Sequence, residues 1–425
     1  MKNLQKKQVE QVLEYINNYW HSLQREAKKQ ENKGGTLLDL PHPYLVPSHQ
    51  GMFQEMYYWD SYFIALGLIG TDYEEYIIYM TKNLAVLFER FEIIPNGSRY
   101  YFTSRSQPPF FTQLMWLAYD VMISQKRDDE AKIFLAEMTE IAEKEHINVW
   151  MATTKDNNRL VFFPDKNSPS IGLSRYFDVN YLHELACCES GWDHSTRCDD
   201  LWLDHIPVDL NSILYIRELD IAKAKKILGQ NDSVAEWEER AKKRKEFINQ
   251  YLWDSDREFF FDYNYQKKRR NPHLSLAGFF PLWAGLMEKD QAEKMVRKWL
   301  PVFEHHGGLV TSLQEVSGRQ WAFPNGWAPL QWIVVEGLEK YGYDDDAMRI
   351  RQKWCQNCFT VYDQGISITN QDGTETKEHS LWEKYNVVNV GEIAGDGCYG
   401  PSVHGFGWTN AIFKVFAEHL KFDNI

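Results

Sequence analysis

Apolar residues recur along this chain with the period of an α-helix. Val9, Leu13, Ile16, Trp20 and Leu23 fall alternately four and three positions apart, the single stripe of an opening amphipathic helix. Asp232-Ser233 followed by Val234, Trp237 and Ala241, with Phe247, Ile248 and Tyr251 beyond, predicts a second, capped amphipathic helix. Similar patterns predict helices near residues 60–70, 73–90, 108–125, 128–145, 207–228, 274–286, 289–300, 327–341, 344–358 and 406–421. The breaks between them carry Pro, Gly, Asn or Asp, as in Ile94-Pro95-Asn96-Gly97 and Phe323-Pro324-Asn325-Gly326. Strand-like stretches are short: Tyr100-Tyr101-Phe102, Leu160-Val161-Phe162-Phe163 and Glu258-Phe259-Phe260-Phe261. No sequence repeat is visible. The pattern predicts an all-α chain.

A chain of 425 residues suggests two or three domains on a prior of about 150 residues each. No Pro-, Gly- or Ser-rich linker and no long like-charge run divides it, so residues 1–425 are expected to form one domain. Net charge is −13, which argues against nucleic acid and anionic membranes as partners. The first fifteen residues are charged and lack the apolar run of a signal peptide, and no stretch approaches the ~20 apolar residues of a membrane span. Six Cys in a chain of this length do not make a disulfide framework. A cytoplasmic protein with reduced thiols is the expectation from these features. The oligomeric state is not legible.

Aromatic residues are abundant, with 16 Trp, 23 Tyr and 24 Phe. A large helical core accounts for many, but a sugar ring also stacks its apolar face on an aromatic ring while its hydroxyls seek polar partners. The informative places are therefore those where aromatics alternate with polar groups. Two runs far apart in the chain, Glu189-Ser190-Gly191-Trp192-Asp193 and Leu381-Trp382-Glu383-Lys384-Tyr385, each set a carboxylate beside a Trp. Glycosidic cleavage needs two carboxyl groups. One protonates the departing oxygen, and the other attacks the anomeric carbon or activates water. Such chemistry requires no cofactor, and none is expected here.

Five segments share this polar–aromatic character: Phe53 to Phe63, Ile94 to Phe110, Glu189 to Arg197, Gln320 to Pro329, and Trp382 to Asn410. In order and spacing they resemble the trehalase family, glycoside hydrolase family 37, whose clan also holds the family 63 glucosylglycerate and mannosylglycerate hydrolases. The resemblance implies an (α/α)6 toroid with its motif loops around one concave site, and inversion at the anomeric carbon. Carried over by motif position, Asp193 is the general acid and Glu383 the general base. Trp59 and Asp60 would stack on the cleaved ring and accept from its hydroxyls. Asn96, Arg105 and Gln107 match sugar-binding positions, Gly191 matches one where the backbone approaches the substrate, and Trp192, beside the acid, is counted with the substrate-binding residues. Phe53, Tyr58 and Trp327 suit a pocket wall as well as a core, and Arg105 suits a salt bridge as well as a ligand.

The chain departs from the family pattern in places. Met52 stands where the family has Arg. The family's Arg-Pro-Glu is not recognisable in the region from Ser168 to Asp178, and the Gly-rich run from Gly395 to Pro401 lacks its Glu. These losses fall on recognition of the leaving sugar. A site without those donors and acceptors discriminates differently among leaving groups. Arg175 is a candidate for a leaving-group carboxylate such as glycerate. Trehalose is the leading substrate, a glycerate glycoside the alternative, and a non-catalytic sugar-binding protein on the same fold the alternative of another class. Trp354-Cys355-Gln356-Asn357-Cys358 sits in a predicted helix rather than after a strand, which suits packed cysteines rather than a redox pair. Cys187, Cys188 and Cys198 near His183 and His194 match no zinc spacing, so no metal is expected.

Overall fold

The computed structural model describes residues 4–27, 35–49, 51–161, 172–369, 375–395 and 402–422. The helices run in order α1 (Lys6–Leu23), α2 (Tyr58–Leu68), α3 (Glu75–Phe91), α4 (Phe111–Ser124), α5 (Asp128–Glu145), α6 (His183–Glu189), α7 (Val208–Ile227), α8 (Asn231–Phe247), α9 (Phe280–Trp283), α10 (Lys289–Phe303), α11 (Ala328–Lys340), α12 (Asp344–Gln364) and α13 (Gly407–Glu418).

Two kinds of helix alternate along the chain. α2 is buried on every side, and α4, α9, α11 and α13 are buried over most of their length. A helix that is apolar all round belongs in an interior. α1, α3, α5, α8, α10 and α12 bury one stripe and expose the other. α7 joins the inner set, its first seven residues all buried. The inner helices touch in a closed circle, α2 to α4, α4 to α7, α7 to α9, α9 to α11, α11 to α13 and α13 back to α2. The amphipathic helices pack outside them, as in α4·α5, α7·α8 and α11·α12. This is the (α/α)6 toroid. Its buried apolar residues form one connected cluster from Val9 to Ala417.

The connectivity explains why the motifs appear in chain order. Each outer helix returns the chain, so every inner helix starts at the same end of the toroid. Each of the five polar–aromatic runs leads into an inner helix: Phe53 onward into α2, Ile94 onward into α4, Glu189 onward toward α7, Gln320 onward into α11 and Trp382 onward into α13.

Some local expectations change. Tyr100–Phe102 forms a 3-10 turn rather than a strand, with Tyr100 and Tyr101 exposed. Leu160–Val161 pairs with Leu173–Ser174, while Phe162 and Phe163 lie outside the described residues. So do most of the Ser168–Asp178 region's first residues and the Gly-rich run beyond Gly395. α8 begins at Asn231, so Asp232 occupies its first turn, favourable to the helix dipole, instead of capping it. Residues 274–286 split into a 3-10 turn, Leu276–Phe279, and the short α9. Pro281 at the start of α9 fits the first turn, where its missing N–H is harmless. α6 was not anticipated; at seven residues it is too short to show a period.

The tightest helix contact in the ring is α2 against α13. A Cβ on Gly67 would lie 2.5 Å from the Ala411 Cα. Gly67→Ala gains roughly 1 kcal/mol of helix propensity, but the clash is with backbone, and overpacking costs about 1–3 kcal/mol. The variant is expected to unfold at lower urea than wild type. A midpoint that is unchanged or raised would show that α2 and α13 part without penalty.

Candidate active site

A cavity of about 370 Å³ opens at the end of the toroid where the inner helices begin. Its size suits a small ligand. Nine of the residues singled out from sequence line it: Phe53, Trp59, Asp60, Asn96, Arg105, Gln107, Gly191, Asp193 and Glu383.

The N-terminus of α2 makes the floor. The Gln107 Oε1 accepts from the Trp59 backbone N–H at 3.1 Å, and the Tyr58 N–H donates to the Asn96 carbonyl at 3.2 Å. The Asn96 amide donates to the carbonyls of Ser106 and Cys188, at 3.0 and 3.1 Å. Asn96 and Gln107 thus tie three motif runs together at the cavity. Glu189 ties a fourth contact. Its carboxylate accepts from the Ser106 N–H at 2.7 Å and the Phe177 N–H at 2.6 Å, and pairs with the buried Arg159 guanidinium. Glu189 is therefore a buried organiser of the Arg105-Ser106-Gln107 run. It does not line the cavity.

Asp193 is the carboxyl of this run that lines the cavity. Gly191, with φ +72°, lets the loop turn against the face of Trp59; a Cβ there would lie 2.7 Å from the indole. Trp192 does not line the cavity. It is fully buried behind Asp193, with the Arg197 guanidinium 4.6 Å from its ring centre. Arg197 in turn bonds both Asp209 and Asp262, so the acid loop is pinned to α7 through a buried cation. Burial pushes the Asp193 carboxyl up to about 7; Arg105 opposes this, and the charge of Glu383 adds to it.

Glu383 enters from the opposite side. Its N–H donates to the Val403 carbonyl at 2.8 Å, and its carbonyl accepts from the Trp408 indole at 3.1 Å. Its Oε2 accepts from Lys384 Nζ at 2.8 Å, and both side chains are buried. Asp60 is the third carboxyl. Burial raises it well above the usual carboxylate range, and the charges of Glu383 and Asp193 add to the effect. Three carboxyls sharing one desolvated cavity cannot all ionise readily.

Aromatic rings form the walls. Trp59 lies 5.9 Å from both Trp321 and Trp408, centre to centre. Trp327 is not part of the lining. It stacks flat behind Trp321, 3.9 Å away with an interplanar angle of 1°. Tyr58 also lies behind the cavity, where its hydroxyl donates to Glu145 and accepts from Arg217.

Arg175 is engaged elsewhere. Its guanidinium donates to the Asn158 carbonyl at 2.9 Å, the Leu203 carbonyl and the Tyr265 hydroxyl, and it does not line the cavity. A guanidinium held through Nε and one Nη by two carbonyls and a hydroxyl, and packed on Phe177 and Tyr265, is a structural tie away from the cavity.

Sequence reasoning missed Tyr57, Tyr101, Phe102, Trp321, Phe406 and Trp408 as lining residues. All lie inside the motif runs, and what marked them was the aromatic density of those runs. It also missed the rim, where Arg99 pairs with Glu55 at 2.8 Å. Met52 lines the mouth and is 43% exposed. Among the described residues, no group of three or more His, Cys, Asp and Glu side chains converges as a metal site.

A family model described as Trehalase matches residues 1–179 and 177–421. The periplasmic trehalase of Citrobacter koseri is 32% identical over 443 residues, covering 94% of this chain and 72% of that protein. The periplasmic trehalase of Escherichia coli is 33% identical with the same coverage. Among solved structures, the neutral trehalase of Saccharomyces cerevisiae has a TM-score of 0.78 at 25% identity, covering 97% of this chain and 94% of that one. The mannosylglycerate hydrolase of Thermus thermophilus has a TM-score of 0.66 at 17% identity, covering 95% and 99%, a likeness of fold.

The expected cytoplasmic placement is corrected by these relatives, whose names point to the periplasm. The thiols misled because Cys187, Cys198, Cys355 and Cys358 are buried. Packing, rather than compartment, accounts for their being unpaired. Matches of this extent, to a family whose motif runs meet here around one cavity, settle the membership: the chain belongs to the trehalase family, and it is a glycosidase.

Proposed function

We propose that this glycosidase hydrolyses α,α-trehalose with inversion, using Asp193 as general acid and Glu383 as general base, with residues 1–425 acting as a single catalytic domain. The observation that carries the reading is the opposed environment of two carboxyls on one cavity. Asp193 is pushed up to about 7 by burial, while Glu383 holds an ammonium at 2.8 Å. A carboxyl held up by burial suits the acid, and a carboxylate bonded to an ammonium suits the base.

In the resting complex Asp193 carries the proton and donates it to the glycosidic oxygen as that bond breaks. Glu383, ionised, takes a proton from a water that attacks the anomeric carbon from the opposite face. Asp60 lies on the floor beside both, placed to accept from ring hydroxyls, and Trp59 offers the apolar face on which the ring stacks. Asn96 and Gln107 contribute chiefly by fixing α2 and the acid loop. Arg105, whose guanidinium carbon is 5.2 Å from the Phe102 ring centre, reaches the cavity as a donor. The glycerate-glycoside alternative arose from the departures around Met52 and the Gly-rich run; Arg175, its candidate carboxylate ligand, is engaged by two carbonyls and the Tyr265 hydroxyl away from the cavity and lends it no support. The relatives' names add to the trehalose reading.

Release of free hexose from trehalose, glucosylglycerate, mannosylglycerate, kojibiose and nigerose tests the substrate. Turnover is expected with trehalose; turnover of a glycerate glycoside in its place would overturn the choice. Asp193→Asn and Glu383→Gln should each reduce kcat by ~10²–10⁴-fold, as loss of a general acid or base does, and activity within about tenfold of wild type would refute the assignment. Because the acid works protonated, kcat/KM should fall as pH rises through about 7, the value to which Asp193 is raised. A profile flat to high pH would mean that another group supplies the proton.

Gly191→Ala tests the floor independently. A methyl 2.7 Å from Trp59 on a left-handed backbone must displace the indole or the acid loop. A misplacement on the order of 1 Å can lower kcat ~10²-fold. Wild-type kinetics in this variant would show that Trp59 and Gly191 do not need their close approach.

A further inference from the structure

The base motif carries a second buried charge that the mechanism has not used. Lys384 follows Glu383 and is fully buried. It lies on the strand Lys384–Asn386, which pairs antiparallel with Asn325–Trp327 in a register that sets Lys384 opposite Trp327. Directly paired residues share one face of a two-stranded sheet. The Lys384 ammonium accordingly lies 5.2 Å from the Trp327 ring centre while donating to Glu383 Oε2 at 2.8 Å. Trp327 stacks on Trp321, which lines the cavity. A continuous line of contacts therefore runs from the cavity wall through two stacked indoles to the ammonium, and from the ammonium back to the base.

We propose that Lys384 is a positioning residue for the reaction: held between the face of Trp327 and the Glu383 carboxylate, it fixes that carboxylate's orientation and keeps it charged in a cavity that two other carboxyls share. The proposal rests on Glu383 being the base.

The physical need is specific. Glu383 is 1% exposed, so water does little to stabilise its charge. The other ionisable groups facing it work against that charge or act at a distance. Asp60 from the start of α2 and Asp193 from the acid loop both interact with it as like charges. Arg105 acts on Asp193. His404, 5.6 Å from Trp382 ring to ring, lies 3.9 Å from Glu378. A cation beside the base in the chain offsets the repulsion, and its hydrogen bond at 2.8 Å fixes the direction of one carboxylate oxygen. The indole face holds the ammonium without supplying a competing proton acceptor.

The test compares Lys384→Met, Lys384→Arg and Glu383→Gln by pH profile. An opposite charge at this range shifts a carboxyl by about one to three units. Lys384→Met should therefore move the acidic limb of kcat/KM upward by about one unit or more, lower kcat and leave KM little changed. Lys384→Arg, which retains the charge, should keep the limb near its wild-type position. An unmoved limb in a folded Lys384→Met enzyme, with Glu383→Gln inactive, overturns the role of Lys384 and leaves Glu383 as the base. Turnover in Glu383→Gln overturns the base assignment itself. If Lys384→Met does not fold, thermal unfolding of Lys384→Met combined with Glu383→Gln decides. Recovery of a folded protein in the double variant supports the pairing, because breaking a buried pair is worse than removing it. Failure of both alike shows that the lysine serves the fold and not the carboxylate.

Discussion

A carboxylate taken out of water must be paired, hydrogen-bonded or protonated, and the end of this toroid is organised by that requirement. Around the cavity the buried acids are matched with arginines: Glu189 with Arg159, Asp209 and Asp262 with Arg197, Glu145 with Arg217 and Glu218 with Arg244. Each of these pairs joins different elements: Arg159 and Arg197 tie loops to α6 and α7, while the pairs of Arg217 and Arg244 hold α5 and α8 to α7. Among the described residues, no arginine lies within bonding distance of the Asp193 carboxyl. It feels Arg105, but burial outweighs that influence and pushes the group up to about 7. Asp60 shares the same fate more strongly. Asp60 and Asp193, with the lysine-bound Glu383, line the cavity, and Glu55, paired with Arg99, lines its rim. The frame and the chemistry are thus two outcomes of one electrostatic rule.

The toroid supplies the desolvation. Inner helices that are apolar all round cannot face water, so they close into a ring, and their starting ends converge. Five Trp residues, Trp59, Trp192, Trp321, Trp327 and Trp408, come into mutual contact there. They exclude water from behind the carboxyls while leaving flat apolar faces toward a ligand. Gly191 and Gly67 mark where this packing leaves no room for a side chain.

Much of this was legible in the sequence because helical periodicity is a long-range signal. α3, α5, α7, α11 and α13 fall within a few residues of where their apolar spacing put them. The assignment of Asp193 and Glu383 to one site came from motif resemblance. Spacing alone could not have joined them, since the fold brings them together across the ring. Four residues singled out for the site, Tyr58, Trp192, Trp327 and Arg175, stand behind the lining or apart from it. They were grouped with the lining because sequence neighbours of pocket residues look alike. On a helix start or a tight turn, adjacent side chains point in different directions, so Trp59 and Asp193 face the cavity while Tyr58 and Trp192 face the core. Arg175 is a different case. Its partners are mostly carbonyl oxygens from distant segments, and backbone acceptors leave no trace in residue type. Glu189 was the least legible, since a buried organiser and the proposed acid, Asp193, are both carboxyls only four positions apart.

The central claim is that Asp193 and Glu383 act from opposite faces of the sugar, with water as the nucleophile. The most direct measurement is proton NMR of the anomers first released from trehalose, recorded before mutarotation. Inversion predicts equal initial amounts of α- and β-glucose, the β-anomer from the attacked ring and the α-anomer from the leaving sugar. Release of α-glucose alone would mean retention through a covalent intermediate and would contradict the account.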